Sequence, residues 1–148
     1  MLEGIGLYTV GGVLVTIITG KVTPLSCYIG LGPHTGSGTE LVDPIGTLGC
    51  QYDQDRLRIF LEHQSSPATG SDHPGFNHAG IKYLVPFPTI TPYAGASVAL
   101  NDFNNMGNLL GIVGVETNGN TIRLYGEHIF SLNNPETGHS VAGIKIIF

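Results

Sequence analysis

Residues 56–64 read RLRIFLEHQ. Side chains alternate across a β-strand. One face of this segment therefore carries Leu57, Ile59, Leu61 and His63, and the other carries Arg58, Phe60 and Glu62. A period of two over so many apolar and aromatic residues predicts a strand. The pattern returns at 121–129, TIRLYGEHI, with Ile122, Leu124, Gly126 and His128 against Arg123, Tyr125 and Glu127.

The recurrence extends outward from this stretch. Residues 45–66 align without gaps on residues 110–131 at an offset of 65, so that Gly46 meets Gly111, Gly49 meets Gly114 and Glu62 meets Glu127. After a two-residue deletion, Ala79-Gly80-Ile81-Lys82 meets Ala142-Gly143-Ile144-Lys145. Upstream, SCYIGLGP (26–33) resembles GASVALND (95–102), which gives Cys27 and Cys50 the partners Ala96 and Val115. Matched blocks in one order imply an internal duplication. The two repeats span 24–90 and 91–148 of a single barrel domain, preceded by an apolar arm at 1–23. Each repeat predicts four strands: 26–32, 45–52, 56–64 and 77–85, then 95–101, 110–117, 121–129 and 140–148. DQD (53–55) and NGN (118–120) supply hairpin turns. The expected fold is all-β: an eight-stranded antiparallel up-and-down barrel, or two packed four-stranded sheets.

Charged residues make up 11% of the 148-residue chain, against about 25% in ordinary soluble proteins. So little charge calls for an exterior covered by lipid or by neighbouring subunits, including further copies of this chain. A net charge of −5 excludes a nucleic-acid-binding surface. The apolar face of the strands has two physical readings. In a soluble barrel it is the core and the charges face water. In a membrane barrel it meets lipid and the charges pair inside. The alternation does not choose between them. The absence of Trp counts against a membrane barrel, which carries aromatic girdles.

Cys27 and Cys50 permit one disulfide without requiring it, and read as small packing residues. Gly4 to Gly20 is apolar, and Gly11-Gly12 within it reads as a hairpin turn, with an inserted helix as the alternative. His34, His73, His78 and His139 lack metal-ligand spacing, and no cofactor motif is present. GLGPHTGSG lacks the Lys and the strand-to-helix context of a phosphate loop.

Two family resemblances follow. The chain ends in Phe148, with Ile146 two before it and Gly143 five before it. This resembles the C-terminal assembly signal of bacterial outer-membrane barrels, with Val141 where that signal has a polar residue. Residues 45–87 resemble lipid A deacylases of the PagL type, in which His-x-Ser on one strand works with an acid on the next. The resemblance implies a serine esterase acting on lipid A-like acyl esters. His63-Gln64-Ser65 would supply base and nucleophile. Asn77 stands near the family's acid, and Asp72 is a substitute from the loop. In the second repeat Ser65 becomes Phe130. The Glu-His pair kept in both repeats reads as a fold feature such as a strand-end hydrogen bond.

The expectation is a non-catalytic structural barrel subunit embedded in a larger assembly such as a phage or virion. The alternative is a bacterial outer-membrane barrel with lipid A esterase activity or a remnant of it. A soluble binding module using the loops 33–44 and 65–76 ranks third.

Overall fold

The structure, a computed structural model, describes residues 24–35, 41–65, 75–101 and 108–148, without the side chains of 41–43. The arm at 1–23, Asp72 and His73 lie outside the described residues. Eight strands follow in order: β1 (Leu25–Thr35), β2 (Leu41–Gln54), β3 (Leu57–Ser65), β4 (Phe76–Leu84), β5 (Ile90–Ala99), β6 (Leu109–Thr117), β7 (Ile122–Ser131) and β8 (Gly138–Ile147). Each pairs antiparallel with the next, and β8 returns to β1 with Tyr28 opposite Ile147 and Thr35 opposite Ser140. The result is a closed barrel and not two packed sheets. Closure leaves no unpaired edge.

The β2–β3 turn is made by Asp55 and Arg56, with Asp55 in the left-handed region at φ 54°, a conformation that Asp tolerates better than most residues. β5 starts at Ile90, ahead of the predicted 95. Its Pro92 has no N–H to donate, but its carbonyl accepts from Val85 N at 2.9 Å. The early start carries the offset of 65 through β1 and β5, so Tyr28 corresponds to Tyr93. Cys27 and Cys50 face each other across β1–β2, as Pro92 and Val115 do across β5–β6. Pro92, not Ala96, is therefore the counterpart of Cys27.

The faces of β3 decide the architecture. Ile59 and Leu61 are 58% and 54% exposed, while Arg58 and Glu62 are 4% and 1% exposed. This overturns the soluble-barrel reading, which placed Leu57, Ile59 and Leu61 in the core. The core is the lumen. Among the described strand side chains, Asp, Glu, Lys and Arg occur on the inward face alone, and the outer wall is mostly Leu, Ile, Val and Ala. Among the described residues four large aromatics are exposed on the outside, Tyr52, Tyr83, Phe87 and Phe148, while the outward Phe130 is half-buried near the opposite end. All four lie at the end of the barrel that holds the short turns 55–56, 85–89 and 118–121. An aromatic ring is thus present without Trp.

Inside, glycine makes room for tyrosine. A Cβ at Gly49 would lie 2.5 Å from Tyr28 Oη, and one at Gly114 would lie 2.6 Å from Tyr93 Oη. Each ring leans on a bare stretch of the neighbouring strand, which is what the paired glycines at these positions provide.

Candidate functional site

The lumen holds two matching ion clusters. Lys82 Nζ lies 2.5 Å from Glu127 Oε2, with the Phe60 and Tyr93 rings 4.4 and 4.7 Å away. Lys145 Nζ lies 3.7 Å from Glu62 Oε2, with the Tyr125 and Tyr28 rings 4.2 and 4.7 Å away. Each ammonium sits over ring faces, where the π-electron quadrupole attracts a cation. Tyr93 Oη donates to Glu127 Oε2 at 2.8 Å, and Tyr28 Oη donates to Glu62 Oε2. Every member of one cluster corresponds to a member of the other by an offset of 65, or of 63 after the deletion.

The remaining charges extend this network. Arg58 donates to Asp53 at 2.7 Å and to Glu116 at 2.8 Å, and Arg123 donates to Glu116 at 2.8 Å. Gln64 Nε2 donates to Glu62 Oε1 at 2.6 Å, and His78 stands between Glu62 and Ser97 at 3.3 and 3.0 Å. His139 Nε2 lies 3.1 Å from Gln64 Oε1. Among the described residues of the lumen, the four acids Asp53, Glu62, Glu116 and Glu127 balance the four bases Arg58, Lys82, Arg123 and Lys145. A desolvated charge is tolerable only when paired, and this lumen is a packed core built of pairs.

The outer wall carries a different chemistry. His63 faces outward, with Nδ1 2.8 Å from Oδ1 of Asn77, its register partner on β4. An amide oxygen only accepts. Nδ1 therefore holds the proton and Nε2 remains the basic nitrogen. Asn77 is held in turn by Asn101, whose Oδ1 accepts from Asn77 N at 2.7 Å and from Asn77 Nδ2 at 3.4 Å. Asn101 Nδ2 donates to Gly75 O at 2.9 Å. Ser65 lies two residues beyond His63 on the same face, opposite Gly46. Among the described residues no hydrogen bond joins Ser65 to His63. The structure brings His63 and Asn77 together and leaves Ser65 beside them.

An outer groove of about 600 Å³ adjoins this pair, lined by Leu48, Leu61, Leu100, Phe148 and the cysteines. Cys27 and Cys50 are joined as a disulfide with Cα atoms 3.9 Å apart. Half a turn around the barrel, His128 Nδ1 lies 2.8 Å from Ser140 Oγ, its register partner on β8. A groove of about 460 Å³ adjoins it, lined by Val113, Val115, Gly126 and Ala142. These two His pairs occupy matching registers, and each spans a strand pair near the loop end.

Reading single strands picks out His63 and Asn77 but misses Asn101 and Ser140. Asn101 follows β5, and its link to Asn77 depends on the β4–β5 register. Ser140 was the counterpart of Asn77 by the two-residue deletion, a signal present in the sequence.

No protein-family model matches the chain, and no curated protein matches it significantly. Among solved structures it is similar to the crystal structure of Neisserial surface protein A, at 15% identity and a TM-score of 0.47, over 84% of this chain and 96% of that one.

Proposed function

We propose that the chain is a bacterial outer-membrane β-barrel, built from two copies of one four-stranded unit, with lipid as the partner of its wall. The observation that carries this is the inversion on β3: Ile59 outward and exposed, Arg58 inward and buried. A wall of aliphatic side chains around the whole barrel is far larger than the apolar patches that soluble monomers expose. Bilayer-spanning strands need about 9–11 residues, and those here run from 9 to 14. Short turns at one end, longer connections at the other and an aromatic ring at the membrane boundary belong to the same architecture. Burial in a larger protein assembly would also cover an apolar wall, but it gives no reason for these end-to-end differences. The matched lumen clusters support the duplication.

The test is purification of the full chain from membranes. The expected result is extraction only with detergent and gel migration that changes on boiling. A chain that forms oligomers in buffer without detergent would favour protein neighbours and defeat the membrane reading.

The hydrogen bond between His63 and Asn77 favours a second reading, an acyl esterase or its remnant. Ser65 Oγ would attack the carbonyl carbon of a lipid acyl ester while Nε2 of His63 takes its proton and passes it to the departing alcohol oxygen as the ester C–O bond breaks. Water would then release the acyl group by the same route, with Asn77 holding the imidazole tautomer. Asn77 lacks the charge that steadies an imidazolium, so this activity is expected to be weak. Ester release from a lipid A-like substrate by the native chain should exceed that by Ser65→Ala. Equal rates would remove Ser65 from any mechanism.

A further inference from the structure

Resting on the membrane reading, we infer that the groove centred on Gly126 binds one acyl chain of a membrane phospholipid and holds an oxygen of its headgroup region on His128. Gly126 is an outward position of β7, and a Cβ there would meet no atom within 4 Å. Its register partners are Val115 on β6 and Ala142 on β8. Two small residues side by side, with no side chain leaning over them, thus leave a dent in the apolar wall. The matching position on β3 is Leu61, whose side chain stands in the first groove.

A dent of about 460 Å³ in a lipid-facing wall does not stay empty, because an unfilled void forfeits dispersion contacts on both of its sides. At that depth the available filler is hydrocarbon. Lipid chains are as apolar as the wall, so entry of a chain has no hydrophobic gain. Residence depends on contact and on a polar anchor.

His128 is that anchor, at the loop end of the groove. Its ring stacks on Phe130 at 5.8 Å and 17°, and its Nδ1 meets Ser140 Oγ at 2.8 Å. A hydroxyl can donate as well as accept. Ser140 can therefore donate to Nδ1 and leave Nε2–H as a donor, the tautomer that Asn77 denies to His63. Ester carbonyl and phosphate oxygens of a phospholipid are acceptors that Nε2–H serves.

The experiment uses the full chain in nanodiscs of dioleoyl phosphatidylglycerol, released and weighed by native mass spectrometry. Gly126→Leu restores the wall as Leu61 does. The native chain should retain one phospholipid more than Gly126→Leu, and His128→Ala should lower the retained fraction by about 2- to 10-fold, the worth of one hydrogen bond. A second measurement needs no variant: a phospholipid spin-labelled on its chain should relax the methyls of Val113 and Val115 more than those of Val98. Equal lipid counts in the native chain and Gly126→Leu, or equal relaxation at the three valines, would overturn the groove alone. A chain that never enters the nanodisc would overturn the membrane reading and this inference with it.

Discussion

The β3–β4 pair and the β7–β8 pair share one ion cluster inside the barrel and differ around it: inside, where Gln64 answers to Ile129 and His78 to Val141, and outside, on the wall. Inward, Phe60, Glu62 and Lys82 answer to Tyr125, Glu127 and Lys145. Outward, Leu61 answers to Gly126, Ser65 to Phe130 and Asn77 to Ser140. An inward member of the ion cluster is fixed by partners from the far wall, so one change strands a buried charge or ring. An outward side chain in lipid needs only to be apolar, or to pair with its immediate neighbour. On the wall, the differences gather around the two outer histidines.

The largest expected effect tests the inner match. Lys82→Ala leaves Glu127 buried without its cation, and Glu127 Oε1 already has no hydrogen-bond partner among the described residues. Loss of one member of a buried pair costs about 3–5 kcal/mol, measurable as a lower urea midpoint for the barrel folded in vesicles. Lys145→Ala should cost less, because Glu62 keeps Tyr28, Gln64 and His78. Equal losses would mean that the clusters are more alike than their distances.

The next effect tests the outer wall. Ile59→Arg and its counterpart Leu124→Arg each place a cation toward hydrocarbon between the aromatic ring and the bilayer midplane, at a cost below the midplane value of about 2–4 kcal/mol. The same urea titration in vesicles should detect both, and unchanged midpoints would mean that the wall does not face lipid. A smaller loss, about 1–3 kcal/mol of overpacking, is expected for Gly49→Ala and for Gly114→Ala, since each Cβ would enter a tyrosine ring. The two should agree closely, and a large disparity would break the inner correspondence.

The finest effect changes no stability worth measuring. Asn77→Ser gives His63 the kind of partner that His128 has. Nitrogen chemical shifts of His63 should then move from the Nδ1–H tautomer toward Nε2–H. An unmoved tautomer would mean that something other than the cross-strand partner sets it.

The strands around RLRIFLEHQ and the barrel were legible in the sequence, because alternation is a property of the chain itself. Which face turned inward was not, since alternation is the same seen from either side. The tie is broken by cross-barrel pairings such as Lys82 with Glu127, whose 45-residue separation no local pattern encodes. The start of β5 was obscured by Pro92, and with it the equivalence of Tyr28 and Tyr93. At the outer site, His63 and Asn77 were readable as facing positions on successive strands. Asn101 was not, because its place beside Asn77 follows from strand register rather than from any motif.

Spin labels on single cysteines introduced at Ile59, Leu124 and Glu136 test the orientation of the wall most directly. In vesicles, the labels at 59 and 124 should collide freely with oxygen and be shielded from a water-soluble nickel complex, and the label at 136, in the β7–β8 connection, should behave in the opposite way. Nickel reaching 59 and 124 as readily as 136 would contradict a lipid-facing wall.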